Sequence, residues 1–182
     1  SAGEILQIEK SITKSMTEEI YFDMINQKTA SLIATSCELG AITTTKTAKD
    51  RKATFGFGDN LGMAFQIKDD LFDLLGKESD TGKNSGIDVK KNMMTLPLIF
   101  SYSNMTKTEN RQLKKLLGVK KKTRKILLDI RGMVDESGGF DYARKKLDDF
   151  SNNALNAISF YPDSPVKKSL SDLVAFNALR VK

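Results

Sequence analysis

Residues 62–77 read GMAFQIKDDLFDLLGK, an apolar stretch that carries aspartates at positions 69, 70 and 73. At about 100° per residue, Asp69, Asp70 and Asp73 fall in one narrow sector of a helix, and Gln66 projects into that sector one turn earlier. Apolar side chains cover most of the remaining circumference. The pattern therefore predicts a helix that is buried on most sides and turns its acidic stripe towards an internal cavity.

Apolar residues at helical spacing predict further helices on both sides of this stretch. One helix is expected from about Thr17 to Gly40 and a second from about Ala48 to Leu75, although each glycine in GFGDNLG (56–62) costs about 1 kcal/mol relative to alanine. No linker divides the 182 residues, so a single all-α domain spanning 1–182 is expected. The later helices are predicted at about 94–103, 107–117, 121–136, 137–158 and 164–182.

The segment 76–88, GKESDTGKNSGID, is rich in glycine, serine, asparagine and charge, and it predicts a loop. A loop of about a dozen residues is long for a compact helical domain, and such loops are often functional. This loop follows the aspartates directly in the chain. It is therefore a candidate part of the same site.

Composition excludes several classes of protein. Hydrophobic residues make up 40% and charged residues 29%, which is ordinary for a globular chain. No run approaches the roughly 18–20 apolar residues of a membrane span, and the start lacks a signal pattern, so a cytoplasmic protein without membrane insertion is expected. With Cys37 as the single cysteine and no histidine, any metal must be held by oxygen.

The net charge of +6 and the pI of about 9.3 raise the question of nucleic acid. The basic residues are spread among acidic ones, apart from KKLLGVKKKTRK at 114–125. This cluster contains no interleaved aromatic residues, which single-strand binders use for stacking. A solvated helix face is the preferred interpretation, and no nucleic-acid partner is predicted.

Three carboxylates at positions i, i+1 and i+4 repel one another unless a cation compensates them. Oxygen ligands of this kind suit Mg²⁺, which keeps several waters and is often completed by phosphate oxygens. The alternative is that the aspartates form a solvated face or pair with nearby lysines. The residues alone leave both interpretations open.

The stretch GMAFQIKDDLFDLLG resembles the second aspartate-rich motif of the trans-isoprenyl (polyprenyl) diphosphate synthases, which is written G-x-x-F-Q-x-x-D-D-x-x-D. Four further segments resemble this family in the same order: GEILQ (3–7), KTASL (28–32), GKNSGIDVKKNMMTLPLI (82–99) and ESGGFDYARKKL (136–147). The motif itself is matched at Gly62, Phe65, Gln66, Asp69, Asp70 and Asp73.

The resemblance implies an all-α helical bundle of the isoprenoid-synthase kind, usually a homodimer. It also implies a prenyltransferase that joins isopentenyl diphosphate to an allylic diphosphate. Asp69, Asp70 and Asp73 correspond to metal ligands, with Mg²⁺ as the cofactor that assists loss of pyrophosphate. The expected partners are isoprenoid diphosphates and a second copy of the chain.

The resemblance assigns four further site residues. Lys28 and Thr29 match the pair that contacts the diphosphate, and Lys83 matches a lysine that binds it from the loop. Gln66 matches the glutamine beside the developing allylic cation. The implied catalytic set is Lys28, Gln66, Asp69 and Asp70.

Two departures from the family pattern change the expectation. Where the family reads Gly-Lys before TLP, this chain has Asn92 and Met93, so a phosphate-binding lysine is replaced, and Lys90 or Lys91 is the candidate substitute. The family's first aspartate-rich motif lies upstream of the segment that matches GEILQ, and these 182 residues do not contain it. We therefore expect a C-terminal part of a synthase that does not condense substrates alone, and whose exposed apolar faces favour an oligomer.

A non-catalytic subunit that binds isoprenoid diphosphate or regulates a partner synthase is the alternative. The replacement at Met93 and the lack of the first motif keep this alternative open. A nucleic-acid-binding module, which only the pI and the lysine cluster favour, ranks third.

Overall fold

The computed structural model describes residues 2–13, 15–45, 47–75 and 86–180, and all regular secondary structure in these ranges is helical. The all-α prediction is confirmed. The elements are α1 (Ala2–Thr13), α2 (Glu18–Ile25), a π-helical segment (Asn26–Ala30), α3 (Ser31–Ile42), α4 (Ala48–Leu75), α5 (Ile87–Lys90), α6 (Leu96–Asn104), α7 (Lys107–Leu117), α8 (Arg124–Glu136), α9 (Gly139–Ala157) and α10 (Pro165–Leu179).

Helix α1 was not expected from the sequence. Leu6 packs against the main core, whereas Ile5 and Ile8 are 70% and 57% exposed. Its apolar residues therefore do not form one buried stripe, and the 3.6-residue pattern is too weak to predict a helix.

The helix predicted from Thr17 to Gly40 is present but not uniform. It begins where the Thr17 hydroxyl accepts a hydrogen bond from the backbone N–H of Ile20 (3.2 Å). Between α2 and α3 it widens into the π-helical segment, where the N–H of Ser31 bonds to the carbonyl of Asn26. Such segments are rare and occur frequently at functional sites.

The glycines in α4 allow this helix to approach α3 and the π-helical segment closely. A Cβ atom at Gly62 would lie 2.5 Å from the Cα of Ala30, and one at Gly58 would lie 2.8 Å from the Cα of Ala34. No larger side chain fits at either contact without movement of the backbone. These glycines therefore serve close packing, and helix α4 continues through GFGDNLG without a break.

Helix α4 is the centre of the molecule and packs most extensively against α3 on one side and α9 on the other. A small apolar cluster joins α4 to α9 and α10, and a larger one joins α4 to α2, α6, α8 and α9. The largest fully buried side chains include Tyr21, Phe57, Ile67, Leu96, Leu98, Leu113, Ile130 and Phe140.

Helix ends agree with the sequence signals at two positions. Pro97 lies in the first turn of α6, and the Ser164 hydroxyl accepts from the N–H of Lys167 (3.1 Å) one residue before Pro165. Among the described residues, no helix is both long enough and apolar enough to cross a membrane.

Candidate functional site

The candidate site lies where the π-helical segment and α2 meet the C-terminal half of α4. Four side chains form one chain of hydrogen bonds there. The Thr29 hydroxyl donates to Gln66 Oε1 (2.8 Å), and Gln66 Nε2 donates to Asp70 Oδ1 (2.9 Å). The Tyr21 hydroxyl donates to Asp70 Oδ2 (2.7 Å). The structure thus brings together three of the predicted site residues and adds Tyr21.

Asp70 is a buried carboxyl group, with 6% of the residue exposed. Burial raises its pKa to about 7, although the hydrogen bonds from Tyr21 and Gln66 act in the opposite direction. Burial, and then the neighbouring Asp70, also hold the pKa of Tyr21 well above its usual value, so this hydroxyl keeps its proton. Both oxygens of Asp70 are already hydrogen-bonded inside the protein.

Stability is expected to fall as the pH rises from about 4.5 to 7 because of Asp70. Its folded pKa lies above the unfolded value of 3.8, so the folded state binds more protons in this window. Asp70→Asn removes this contribution. The unfolding free energy of the parent minus that of the variant should therefore fall by on the order of 3 kcal/mol as the pH rises from about 4.5 to 7.

Urea unfolding at a series of pH values measures this difference. Asp129→Asn, which removes an exposed carboxylate, is the matched control and should leave the pH profile parallel to that of the parent. Parallel profiles for Asp70→Asn and the parent would contradict the burial argument.

Asp73 fixes the start of α5. Its carboxylate oxygens accept from the backbone N–H groups of Ile87 and Asp88 (2.9 Å each), and its carbonyl accepts from Gly86 (2.8 Å). Of the predicted loop, residues 76–85 and with them Lys83 lie outside the described part of the chain. Residues 87–90 form a short helix, a correction to the loop prediction, because Asp73 satisfies its first N–H groups.

Asp69 carries a half-exposed carboxylate, and it pairs with Arg180 beyond the end of α10. Arg180 Nη2 lies 2.5 Å from Asp69 Oδ1 and also donates to the carbonyl of Phe65 (3.2 Å). The guanidinium lies over the ring of Phe65, with 4.2 Å to its centroid, and Lys68 Nζ donates to the carbonyl of Ala178 (2.7 Å). The end of α10 is therefore bound to α4 beside the aspartates.

Asp88 is an additional acid at the site. Its pKa is raised by burial and then by the charges of Asp73 and Asp69, whereas the charges of Lys28 and Lys91 lower it. These groups therefore lie within one electrostatic neighbourhood. Lys28, on the π-helical segment, donates to Gln7 Oε1 at 3.4 Å.

The departure at Asn92 and Met93 has a structural counterpart. Asn92 adopts a left-handed backbone with φ of 59°, which asparagine tolerates better than most residues other than glycine. Its Oδ1 accepts from the buried Lys122 (2.8 Å). Asn92 thus occupies a backbone position that glycine would also tolerate. Lys90 and Lys91 remain the candidates for the replaced lysine, with Lys91 close enough to Asp88 to lower its pKa.

The donor chemistry of the site fits a hard divalent cation only in part. Asp69 already accepts a cationic group, the Arg180 guanidinium. Among the described residues, however, no three acidic or cysteine side chains converge closely enough to hold a metal ion. The aspartates could therefore supply only some of the ligands of a Mg²⁺ ion, and water and diphosphate would supply the others.

Sequence reasoning missed Tyr21, Asp88 and Arg180. Asp88 lies inside a segment that matched the family, so its position was a usable signal. Tyr21 offered a weaker one, since a buried tyrosine hydroxyl usually has a partner. Nothing in the pattern around Arg180 indicated that it reaches Asp69 over 111 residues of chain.

Comparison with known proteins identifies the class. The family model for polyprenyl synthetase matches residues 1–131, and the chain belongs to this family. It is 33% identical over 162 residues to a probable mitochondrial hexaprenyl pyrophosphate synthase of Neurospora crassa, a match that covers 89% of this chain and 35% of the relative. The family predicted from the motif is therefore confirmed.

Solved structures agree with the helical-bundle prediction. A decaprenyl diphosphate synthase from Rhodobacter capsulatus superposes with a TM-score of 0.89 at 30% identity, over 100% of this chain and 56% of that one. A polyprenyl synthase from Caulobacter crescentus, complexed with calcium and isoprenyl diphosphate, gives 0.89 at 28% identity, over 98% and 55%. The chain thus spans between about a third and just over half of these three relatives.

Proposed function

We propose that this chain carries the second acidic half of a trans-prenyltransferase site, which condenses isopentenyl diphosphate with an allylic diphosphate. The observation that carries the proposal is the Thr29–Gln66–Asp70 hydrogen-bond chain beside the more exposed Asp69. The Caulobacter crescentus relative, solved with calcium and isoprenyl diphosphate, supports the same ligand class.

Asp69 is the residue of this chain that would mainly hold Mg²⁺. Asp73 would join it only by giving up one of the two backbone N–H hydrogen bonds that its carboxylate oxygens accept. The ion, when bound, supplies the charge neutralisation that lets pyrophosphate leave. Lys28 places a positive charge in the same neighbourhood, where it attracts diphosphate oxygens. The family match assigns Gln66 to the side of the developing allylic cation, and the Thr29 hydroxyl is hydrogen-bonded to Gln66 Oε1. A fixed dipole there would stabilise the positive charge.

We further propose that the chain forms a homo-oligomer, in the simplest case a dimer. Several large apolar side chains on α1 and α3 are exposed, which is unusual for a surface that remains in water. The largest exposures are those of Ile5 (70%), Ile8 (57%), Leu32 (71%) and Leu39 (56%).

Binding of geranyl diphosphate tests the proposed function directly on the 182-residue chain. Calorimetric titration should show binding with Mg²⁺ that weakens by at least about 10-fold when EDTA removes the ion, because diphosphate charge is then no longer neutralised. Asp69→Ala should lose most of this Mg²⁺ dependence. Equal binding with Mg²⁺ and with EDTA would contradict the metal-dependent site.

The alternative is a non-catalytic subunit that binds isoprenoid diphosphate, and the replacement of the family's lysine by Met93 favours it. Both functions predict ligand binding, so binding does not separate them. A chimera with the N-terminal half of the Rhodobacter capsulatus relative separates them, since its superposition supplies the junction. Prenyl transfer by the chimera that Asp69→Ala abolishes indicates the enzyme, whereas a folded, binding, inactive chimera indicates the subunit.

A further inference from the structure

We infer that Tyr21 and Asp70 act as positioning residues that hold the Gln66 amide with its carbonyl oxygen towards the substrate. The inference rests on the proposed function, because it concerns the cation that forms when an allylic diphosphate ionises. It changes the part assigned to Asp70, from a ligand of the metal to the inner support of Gln66. It also gives Tyr21, which no motif marked, a place in the site.

The two ends of the Gln66 amide differ in the hydrogen bonds that they make. The nitrogen only donates hydrogen bonds and the oxygen only accepts them. Nε2 donates to Asp70 Oδ1 at 2.9 Å, so the nitrogen points into the protein. Oε1 consequently points the other way, where it accepts from the Thr29 hydroxyl at 2.8 Å and has a second lone pair left.

Tyr21 acts on Gln66 through the carboxyl group of Asp70. The Asp70 carboxyl group holds Gln66 in this orientation only if the carboxyl oxygen that faces Gln66 Nε2 accepts its hydrogen bond. The Tyr21 hydroxyl occupies the opposite oxygen, Oδ2, at 2.7 Å. This hydrogen bond fixes the carboxyl group of Asp70 with Oδ1 towards Gln66. Tyr21 therefore holds the Gln66 amide in place through Asp70.

Burial strengthens the electrostatic effect of the Gln66 amide. Tyr21 is fully buried, and Gln66 and Asp70 are 8% and 6% exposed, so little water screens the Gln66 dipole. The carbonyl end of a fixed amide attracts positive charge, whereas the opposite orientation would present N–H groups and repel it. Preorganised dipoles of this kind are a major source of transition-state stabilisation.

Two ligands that differ in charge test the inference on the 182-residue chain itself. One is an isoprenoid diphosphate mimic with a protonated amine at the carbon that becomes cationic, and the other is its neutral carbon counterpart. Calorimetry with Mg²⁺ gives the ratio of the two affinities. The parent should prefer the cationic mimic, and Tyr21→Phe should lower the ratio by about two- to fivefold while the neutral mimic binds within about twofold of the parent.

Asp70→Asn should lower the ratio further, because an asparagine amide can donate to Gln66 Oε1 and let the amide turn over. That variant also removes a charge, so Tyr21→Phe, which leaves the net charge unchanged, is decisive. Tyr21→Phe alone is sufficient to test the inference if Asp70→Asn does not fold. Tyr142→Phe is the matched control, since it removes a tyrosine hydrogen bond of 2.6 Å to Glu18 and should leave the ratio unchanged.

The outcomes separate the inference from the proposed function. If Tyr21→Phe weakens both mimics equally, Tyr21 is structural only and the inference is wrong while the ligand site stands. If the ratio is unchanged in Tyr21→Phe, the inference is also wrong. If the parent binds neither mimic, the proposed function is contradicted and the inference falls with it.

Discussion

Gly62→Val is expected to lower the unfolding free energy by about 3 kcal/mol or more, which is the largest stability effect anticipated for a single α4 position. A Cβ at Gly62 would lie 2.5 Å from the Cα of Ala30 and 2.9 Å from its Cβ. These atoms belong to the backbone and the shortest side chain of the π-helical segment, so no flexible group can move aside. Helix α4 would have to separate from the segment that carries Lys28 and Thr29.

Thermal unfolding followed by circular dichroism measures this effect, and the midpoint should fall by about 6–12 °C. Gly132→Val is the matched control, because Gly132 also lies within a helix but has no atom within 4 Å of an added Cβ. It should change stability by less than about 0.5 kcal/mol. A loss of similar size in both variants would mean that helix propensity, and not close packing, explains the result.

Asp69→Asn and Arg180→Gln are expected to change cation binding in opposite directions. Removal of the Asp69 charge should weaken Mn²⁺ binding in the presence of geranyl diphosphate by at least about 100-fold, since even indirect partners of a metal ligand contribute 10- to 100-fold. Arg180 competes for the same carboxylate oxygen. Its removal should strengthen Mn²⁺ binding by about two- to fivefold, the range of a partly exposed ion pair.

Electron paramagnetic resonance of free Mn²⁺ gives both affinities. Arg111→Gln is the control for loss of one positive charge, because Arg111 is an exposed residue of α7. It should leave the affinity within about twofold of the parent, because Arg111 is exposed, makes no hydrogen bond or ion pair with the described aspartates and is screened by salt. If Arg180→Gln weakened Mn²⁺ binding, Arg180 would support the cation site instead of competing for it.

The helices that the sequence predicted well are those with one continuous apolar face, and α4 is the clearest case. Its residues from Leu61 to Leu74 combine a broad buried surface with a narrow polar stripe, so period and burial agree. Helix α1 was missed because its apolar residues are divided between the core and the exposed surface and form no single buried stripe. The π-helical segment was missed because one extra residue shifts the phase of the apolar pattern at a single point, which an irregular spacing of apolar residues does not reveal.

The residues of the candidate site likewise include some that the sequence predicted and some that it did not. Gln66, Asp69, Asp70 and Asp73 followed from one motif on one helix, where spacing fixes direction. Their partners could not be predicted, because Tyr21 and Arg180 reach Asp70 and Asp69 across 49 and 111 residues of chain. Three neighbouring carboxylates consequently have three different partners, a result that their common position in the motif did not suggest.

The π-helical segment Asn26–Ala30 also limits how the length of this chain can vary. A π-helical turn contains one residue more than an α-helical turn, so deletion of one residue between 26 and 30 would restore a regular helix. Everything before the deletion would then rotate by about 100° relative to α3. The hydrogen bond between Tyr21 and Asp70 would then be lost, whereas Ala34 would remain packed against Gly58. In related sequences that keep this site, we therefore expect no alignment gaps in these five positions.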